Sequence, residues 1–297
     1  MKIYDCFMFF DEDMLLDLRL NIMDKYVDKF IITEATYMHN GSKKKLNFDI
    51  NKFKRFKDKI TYIVVDEPPP GLIHIYEEDN KEKTESKKIW NAYKREIHQI
   101  EKTKEGIQNA NSEDTIIVSD LDEIPNLEKI NLNTIKEKLI FFKQKMYYYK
   151  LNLFYRSMPW FGSKACRKKY FESPQWLRTI KNKKYPIWRL DTIFSKNKYR
   201  DIFFVQDGGW HFTNIRKAED LEKKLQGFLH HVDYENSGLK LNDLKTMIKE
   251  KRVMYNHSLN KKVDKWGKGE KLTTTKMAEM PSYVLENLDK YKLWLDI

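Results

Sequence analysis

Apolar positions along this chain keep two different rhythms, and the change of rhythm predicts the fold. Short β-branched or aromatic runs at 2–8, 29–33, 60–65 and 114–119 alternate with stretches whose apolar residues recur at helical spacing. Leu15, Leu18 and Ile22 mark one helix between Asp11 and Asp24, and Ile89, Trp90, Tyr93, Ile97 and Ile100 stripe a second over 89–104. Strands separated by amphipathic helices pair in parallel through crossovers, so an α/β fold is expected, with 114–119 as a buried central strand. After Pro125 the pattern changes. Strand-like runs at 145–155 and 199–206 precede helical periodicity at 217–232, 241–252 and 282–293, which predicts a helical C-terminal portion. With no internal repeat or heptad register, a single domain over 1–297 is expected, and any division falls near residue 126.

Between the third strand and the second helix, residues 66–88 carry three prolines, Gly71 and little apolar periodicity. That segment is expected to be a surface loop, suited to act as a flap over a cleft. The 297 residues are 41% hydrophobic, enough apolar material for one large core and too much for disorder. Lys+Arg 56 against Asp+Glu 44 leaves a formal charge of +12. This balance favours polyanions such as nucleic acid, an anionic membrane surface or a nucleotide diphosphate, although scattered solvated lysines give the same total. Only Cys6 and Cys166 are present, which excludes a disulfide framework and a thiolate metal site. The N-terminal apolar run stops at Asp11, short of the ~20 residues a membrane span needs, so a cytoplasmic chain, at most docked peripherally on a membrane, is expected.

The candidate chemistry lies where the fourth run ends, at Ser119, Asp120, Leu121, Asp122, Glu123, Ile124 and Pro125. A strand finishing this way delivers carboxylates to the carboxyl edge of the sheet, where open α/β folds bind ligands. In extended geometry Asp120 and Asp122 share one side while Leu121 faces the core. Two hard oxygen ligands suit Mn²⁺ or Mg²⁺, and a cation there can bridge a diphosphate. The plainer alternative is a capped turn stopped by Pro125.

The chain resembles glycosyltransferase family 17. The resemblance runs through Tyr4, Asp5, Phe7 and the residues to Glu12, then Leu15, Arg19, Asp28, Phe30 and Glu34. It continues through Gly41, Lys44, Tyr93, Arg95 and the 119–125 motif to Gly209, Trp210 and His211. It implies a GT-A type fold, a Rossmann-like mixed sheet flanked by helices, with donor binding in 1–126 and acceptor binding in 127–297. It also implies inverting transfer of a sugar, N-acetylglucosamine by likeness, from a UDP-sugar to a glycan, glycolipid or glycoprotein, with no nucleic-acid partner.

Within that resemblance Asp122 and Asp120 are expected at the metal, Asp120 also at the ribose, and His211 as a third ligand unless it merely packs. Glu34 is expected to contact base or ribose, or to pair with Arg19 or Arg95. Lys44 and Arg95 are candidates for the diphosphate, and Trp210 and Trp160 for a sugar face unless they belong to the core. The base is sought at Asp233 or Asp207, with Asp191 and Glu235 as further options. A metal-dependent nuclease or phosphohydrolase using the same acidic cluster is the alternative, and it requires carboxylates from several other strands.

Overall fold

The computed structural model describes residues 1–186, 188–192, 194–255, 266 and 269–297. Four strands of the first half, β1 (Ile3–Met8), β2 (Lys29–Ala35), β3 (Ile60–Val65) and β4 (Thr115–Val118), pair in parallel in the order β3-β2-β1-β4. β4 is buried at every position, as a strand covered on both faces must be. Its apolar run is therefore a central strand, as the sequence predicts.

The remaining described strands are β5 (Glu123–Pro125), β6 (Leu139–Phe142), β7 (Gln144–Tyr148), β8 (Leu153–Trp160), β9 (Lys164–Arg167), β10 (Ile202–Val205), β11 (Gly209–Thr213) and β12 (Thr273–Thr274). β9 inserts antiparallel between β4 and β6, and β10 completes a seven-stranded mixed sheet beside β6. A second mixed sheet runs β12-β8-β7-β11-β5. One hydrophobic cluster joins Phe7, Phe30 and Ile117 of the first sheet to Tyr147 and Phe212 of the second, so both sheets share a core. This is the α/β arrangement that the periodicity predicts, with the mixed sheets and flanking helices that the resemblance implies.

The described helices are α1 (Asp13–Met23), α2 (Lys81–Glu101), α3 (Pro174–Thr179), α4 (Ala218–Gly227), α5 (His231–Ser237), α6 (Leu241–Glu250), α7 (Ser282–Glu286) and α8 (Leu288–Tyr291). α2 starts eight residues before its apolar stripe because the Asn80 side chain accepts from the Lys83 amide at 2.9 Å and caps it. The loop before it lies along α2: the Asn91 side chain exchanges two hydrogen bonds with the Ile73 backbone, and Lys94 donates to the Gly71 carbonyl. It therefore packs on a helix instead of covering a cleft.

Three expected elements divide, among them the helical stretch 282–293, which breaks at Asn287 into α7 and α8. The strand-like run 145–155 breaks at Tyr149, whose φ of 62° turns the chain between β7 and β8. The helical stretch 217–232 breaks after Gly227, where Phe228 is extended, into α4 and α5. Among the described residues no helix is long and apolar enough to cross a membrane.

Candidate active site

The acidic segment is anchored from beneath by a fully buried arginine. Arg19 on α1 forks onto the buried Asp5 carboxylate of β1, with Nε to Oδ2 at 2.8 Å and Nη2 to Oδ1 at 2.6 Å. Its Nη2 also donates to Ser119 Oγ at 2.6 Å, and its Nη1 reaches the carbonyls of Asp120, Leu121 and Glu123 at 3.0, 3.1 and 2.8 Å. One planar cation thus satisfies the carbonyls of the turn that presents the acidic side chains.

Those side chains open onto a cleft of about 460 Å³ that also exposes Glu12, Glu96, Trp160, His211, Lys224 and His230. Residues from both sides of position 126 line it. Asp122 and His211 meet across its floor, with the imidazole Nε2 3.6 Å from Asp122 Oδ1. That separation is too long for a hydrogen bond and short enough for both atoms to serve one cation. His211 sits in β11 beside Glu123 of β5, its ring 4.9 Å from that of Trp160. Its Nδ1 is buried without a hydrogen-bond partner, so Nε2 carries the polar interaction of the ring.

The electrostatics follow from that pairing. Burial opposes the charge on Asp122, but His211, Lys224 and Arg216 outweigh it and bring the carboxyl down to about 2. Burial likewise opposes the imidazolium, and Asp122, Glu123 and Asp120 more than offset it, raising His211 above the usual histidine value. A carboxylate and an imidazole are both ligands for divalent cations, and a cation held between them would displace the histidine proton. Among the described residues no three His, Cys, Asp or Glu side chains converge as a complete cation shell. Ligand oxygens and water would therefore have to supply the other positions of a cation held there.

Asp120 is directed elsewhere. Its Oδ1 accepts from Arg178 Nη2 of α3 at 3.0 Å, and the same nitrogen donates to Glu96 of α2 at 2.9 Å. Burial, with Glu123, Glu96 and Asp122 nearby, pushes the Asp120 carboxyl up to about 7 despite Arg178. Glu123 accepts from the Asp120 amide at 2.7 Å and from the Trp160 indole. Gly162 makes this possible, because a Cβ there would stand 1.8 Å from the Glu123 carboxylate.

Several predicted site residues face away from the cleft or are committed to internal partners. Glu34 accepts from Lys44, from the Asn47 and Phe48 amides at 2.8 and 3.0 Å and from the Tyr62 hydroxyl at 2.9 Å, which fills its acceptor capacity. It pairs with Lys44, where the sequence offered Arg19 or Arg95. Lys44 borders the cleft, but its ammonium serves that internal pair. Arg95 donates to the His39 carbonyl at 3.0 Å and packs against Gly41, where a Cβ would stand 2.7 Å from the guanidinium.

Trp210 lies in the main core and donates to the Glu279 carbonyl at 3.0 Å, so it offers no sugar face. Strand alternation explains the contrast with His211: odd positions of β11 face the cleft and even ones the core. Asp207 is exposed on the turn before β11 with φ 48°, and Asp233 on α5 contacts the cleft only through His230, its Oδ2 3.0 Å from His230 Nδ1. Asp191 pairs with Arg189 and Lys198 on a distant loop.

The cleft also contains groups that the sequence did not single out. Glu12, the residue before α1, is half-buried against Arg216 and Lys224. Burial raises its carboxyl, yet these two cations and the Asp11 amide bring it below the usual value. No spacing signal links Glu96 or Arg178 to Asp120, because α2, α3 and β4 converge only in the folded chain.

The α/β core thus presents Asp120 and Asp122 at its carboxyl edge to a cleft that His211 of the second sheet also lines. The chain belongs to glycosyltransferase family 17, whose model matches residues 1–296. No curated protein matches it. Among solved structures it is similar to glucosyl-3-phosphoglycerate synthase from Mycobacterium tuberculosis, described in complex with Mn²⁺, UDP and phosphoglyceric acid. The identity is 13% over 75% of this chain and 74% of that one, with a TM-score of 0.28.

Proposed function

We propose that this chain is a metal-dependent inverting transferase that moves N-acetylglucosamine from a UDP-sugar to a glycan, free or carried on lipid or protein. The observation that supports this most is the Asp122–His211 pair at the sheet's carboxyl edge, with its 3.6 Å spacing inside the cleft. Asp122 and His211 hold Mn²⁺ or Mg²⁺. When bound, the ion neutralises charge on the departing diphosphate. Asp120, held by Arg178, accepts hydrogen bonds from the ribose hydroxyls, and Phe10, Tyr37 and His39 at the cleft edge enclose the base. Residues 1–126 supply most of the donor side and later residues the acceptor side.

With Lys44 and Arg95 engaged internally, Lys224 is the cation best placed for the phosphates, since it lines the cleft and stands 4.0 Å from Glu12. The base is the His230–Asp233 pair. As the acceptor hydroxyl oxygen bonds to the anomeric carbon and the carbon–UDP oxygen bond breaks, His230 takes the hydroxyl proton and Asp233 orients the ring. Asp233→Asn is expected to lower kcat about 10–100-fold with the donor KM unchanged, by loss of an orienting partner. An unchanged kcat moves the base to another group.

The assignment is tested with a panel of nucleotide sugars and acceptor glycans, measured with Mn²⁺ and with chelator. Faster UDP release from UDP-N-acetylglucosamine, abolished by chelator, is expected. Preference for another sugar would change the donor alone, whereas no transfer from any donor overturns the reading.

A further inference from the structure

Among the described residues, the stretch between α3 and β10 carries three large, highly exposed apolar side chains. Trp188 is 75% exposed, Leu190 69% and Phe194 89%, values that cost apolar hydration with nothing in return unless a partner covers them. They project from one closed loop. The Lys181 amide donates to the Asn197 carbonyl at 2.8 Å, which ties its base, and Arg189 and Thr192 make tight turns onto Pro186 and Arg189 at 3.1 and 3.2 Å.

The charge around these side chains selects the partner. Residues 181–200 contain five lysines and two arginines against one acid, Asp191. Asp191 is neutralised within the loop by Arg189 and Lys198, at 2.7 and 2.8 Å. Among the described residues, Lys181, Lys183, Lys184 and Lys196 are exposed and have no carboxylate at ion-pair distance. A protein pocket for the aromatics would not require such a cationic surround. An interface of acyl chains beneath anionic headgroups satisfies both, because Trp and Phe enter the headgroup boundary while lysines remain at the phosphates.

We propose that the 181–200 loop is a peripheral membrane anchor that inserts Trp188, Leu190 and Phe194 into an anionic bilayer, with its lysines on the lipid phosphates. The loop begins three residues after Arg178, which holds Asp120, so docking would present the glycosyl-transfer cleft to acceptors at a lipid surface. The anchor itself does not depend on the sugar transferred.

The test is flotation of the full chain with vesicles of phosphatidylcholine alone and of phosphatidylcholine with about one-third phosphatidylglycerol. Binding to the anionic vesicles only, weakened by salt, is expected, and Trp188→Ser with Phe194→Ser should reduce it at least about tenfold. The double variant should retain the parent's melting temperature and its transfer rate on a water-soluble acceptor, since neither residue touches the core or the cleft. Three results overturn the proposal: no association with anionic vesicles, equal association by the double variant, or loss of binding only through loss of folding. Binding of the apolar tip to a protein and to no lipid overturns it as well.

Discussion

Asp122→Ala is expected to lower sugar transfer on the order of a thousand-fold at saturating Mn²⁺ while leaving the fold intact. The carboxylate stands at the end of a turn, and its partners are the His211 ring and the more distant cations Lys224 and Arg216. Its removal therefore empties one side of the proposed cation position and creates no cavity in the core. The same charge balance gives the pH behaviour. Because the folded carboxyl lies at about 2, below its ordinary value, its contribution to stability is present above pH ~4 and is lost as pH falls through 2. His211 has the opposite sign: its raised value stabilises the fold below the ordinary histidine range, and that contribution disappears as pH rises through the raised value.

Asp120→Ala should impair transfer less, and mainly through donor KM, because its oxygen is already held by Arg178. Steady-state kinetics and Mn²⁺ titration of the two variants distinguish the roles. If Asp122→Ala keeps more than about a tenth of the parental rate with normal Mn²⁺ affinity, the cation is held elsewhere.

The part of this site that the sequence reveals is the part set by local geometry. The apolar run 115–118 becomes β4 because periodicity and burial agree on one element, whereas the acidic residues after it turn and continue into β5, a strand of the other sheet that contains Pro125. The first three strands and α1 likewise fall within a few residues of their predicted positions. The His211 and Trp210 alternatives could be resolved only by knowing which face of β11 is the cleft, since alternation fixes that they differ and not which is which.

What stays hidden is pairing between distant elements. Glu34 is the penultimate residue of β2, but the segment that returns to occupy it, Lys44 to Phe48, is fixed by the tertiary path of a loop with no periodicity of its own. Arg178 sits on a six-residue helix and has no motif around it, yet its guanidinium joins Glu96 to Asp120. A chain with 56 basic residues offers many equivalent choices for such a partner. Asp233 illustrates the same point. Its distance from the cleft is invisible in sequence.

The largest loss of stability is expected at Arg19, a residue that touches no substrate. Replacing it with methionine keeps the length of the stem and removes the guanidinium, leaving Asp5 charged and fully buried without a counterion. Removing one partner of such a pair costs about 3–5 kcal/mol, far more than the pair itself contributes relative to apolar residues. Three carbonyls of the catalytic turn and Ser119 Oγ lose their donor at the same time. Urea unfolding should show the deficit directly, and the melting temperature should fall on the order of ten degrees.

Adding Asp5→Leu to Arg19→Met separates the two functions of the arginine. With no buried charge left, much of the lost stability should return. Transfer should not return, because the carbonyls of Asp120, Leu121 and Glu123 would still lack the fork that sets the direction of the acidic side chains. Recovery of both stability and activity in the double variant would show that Arg19 serves the core alone. A single variant within about 1 kcal/mol of the parent would show that the buried pair is dispensable even there.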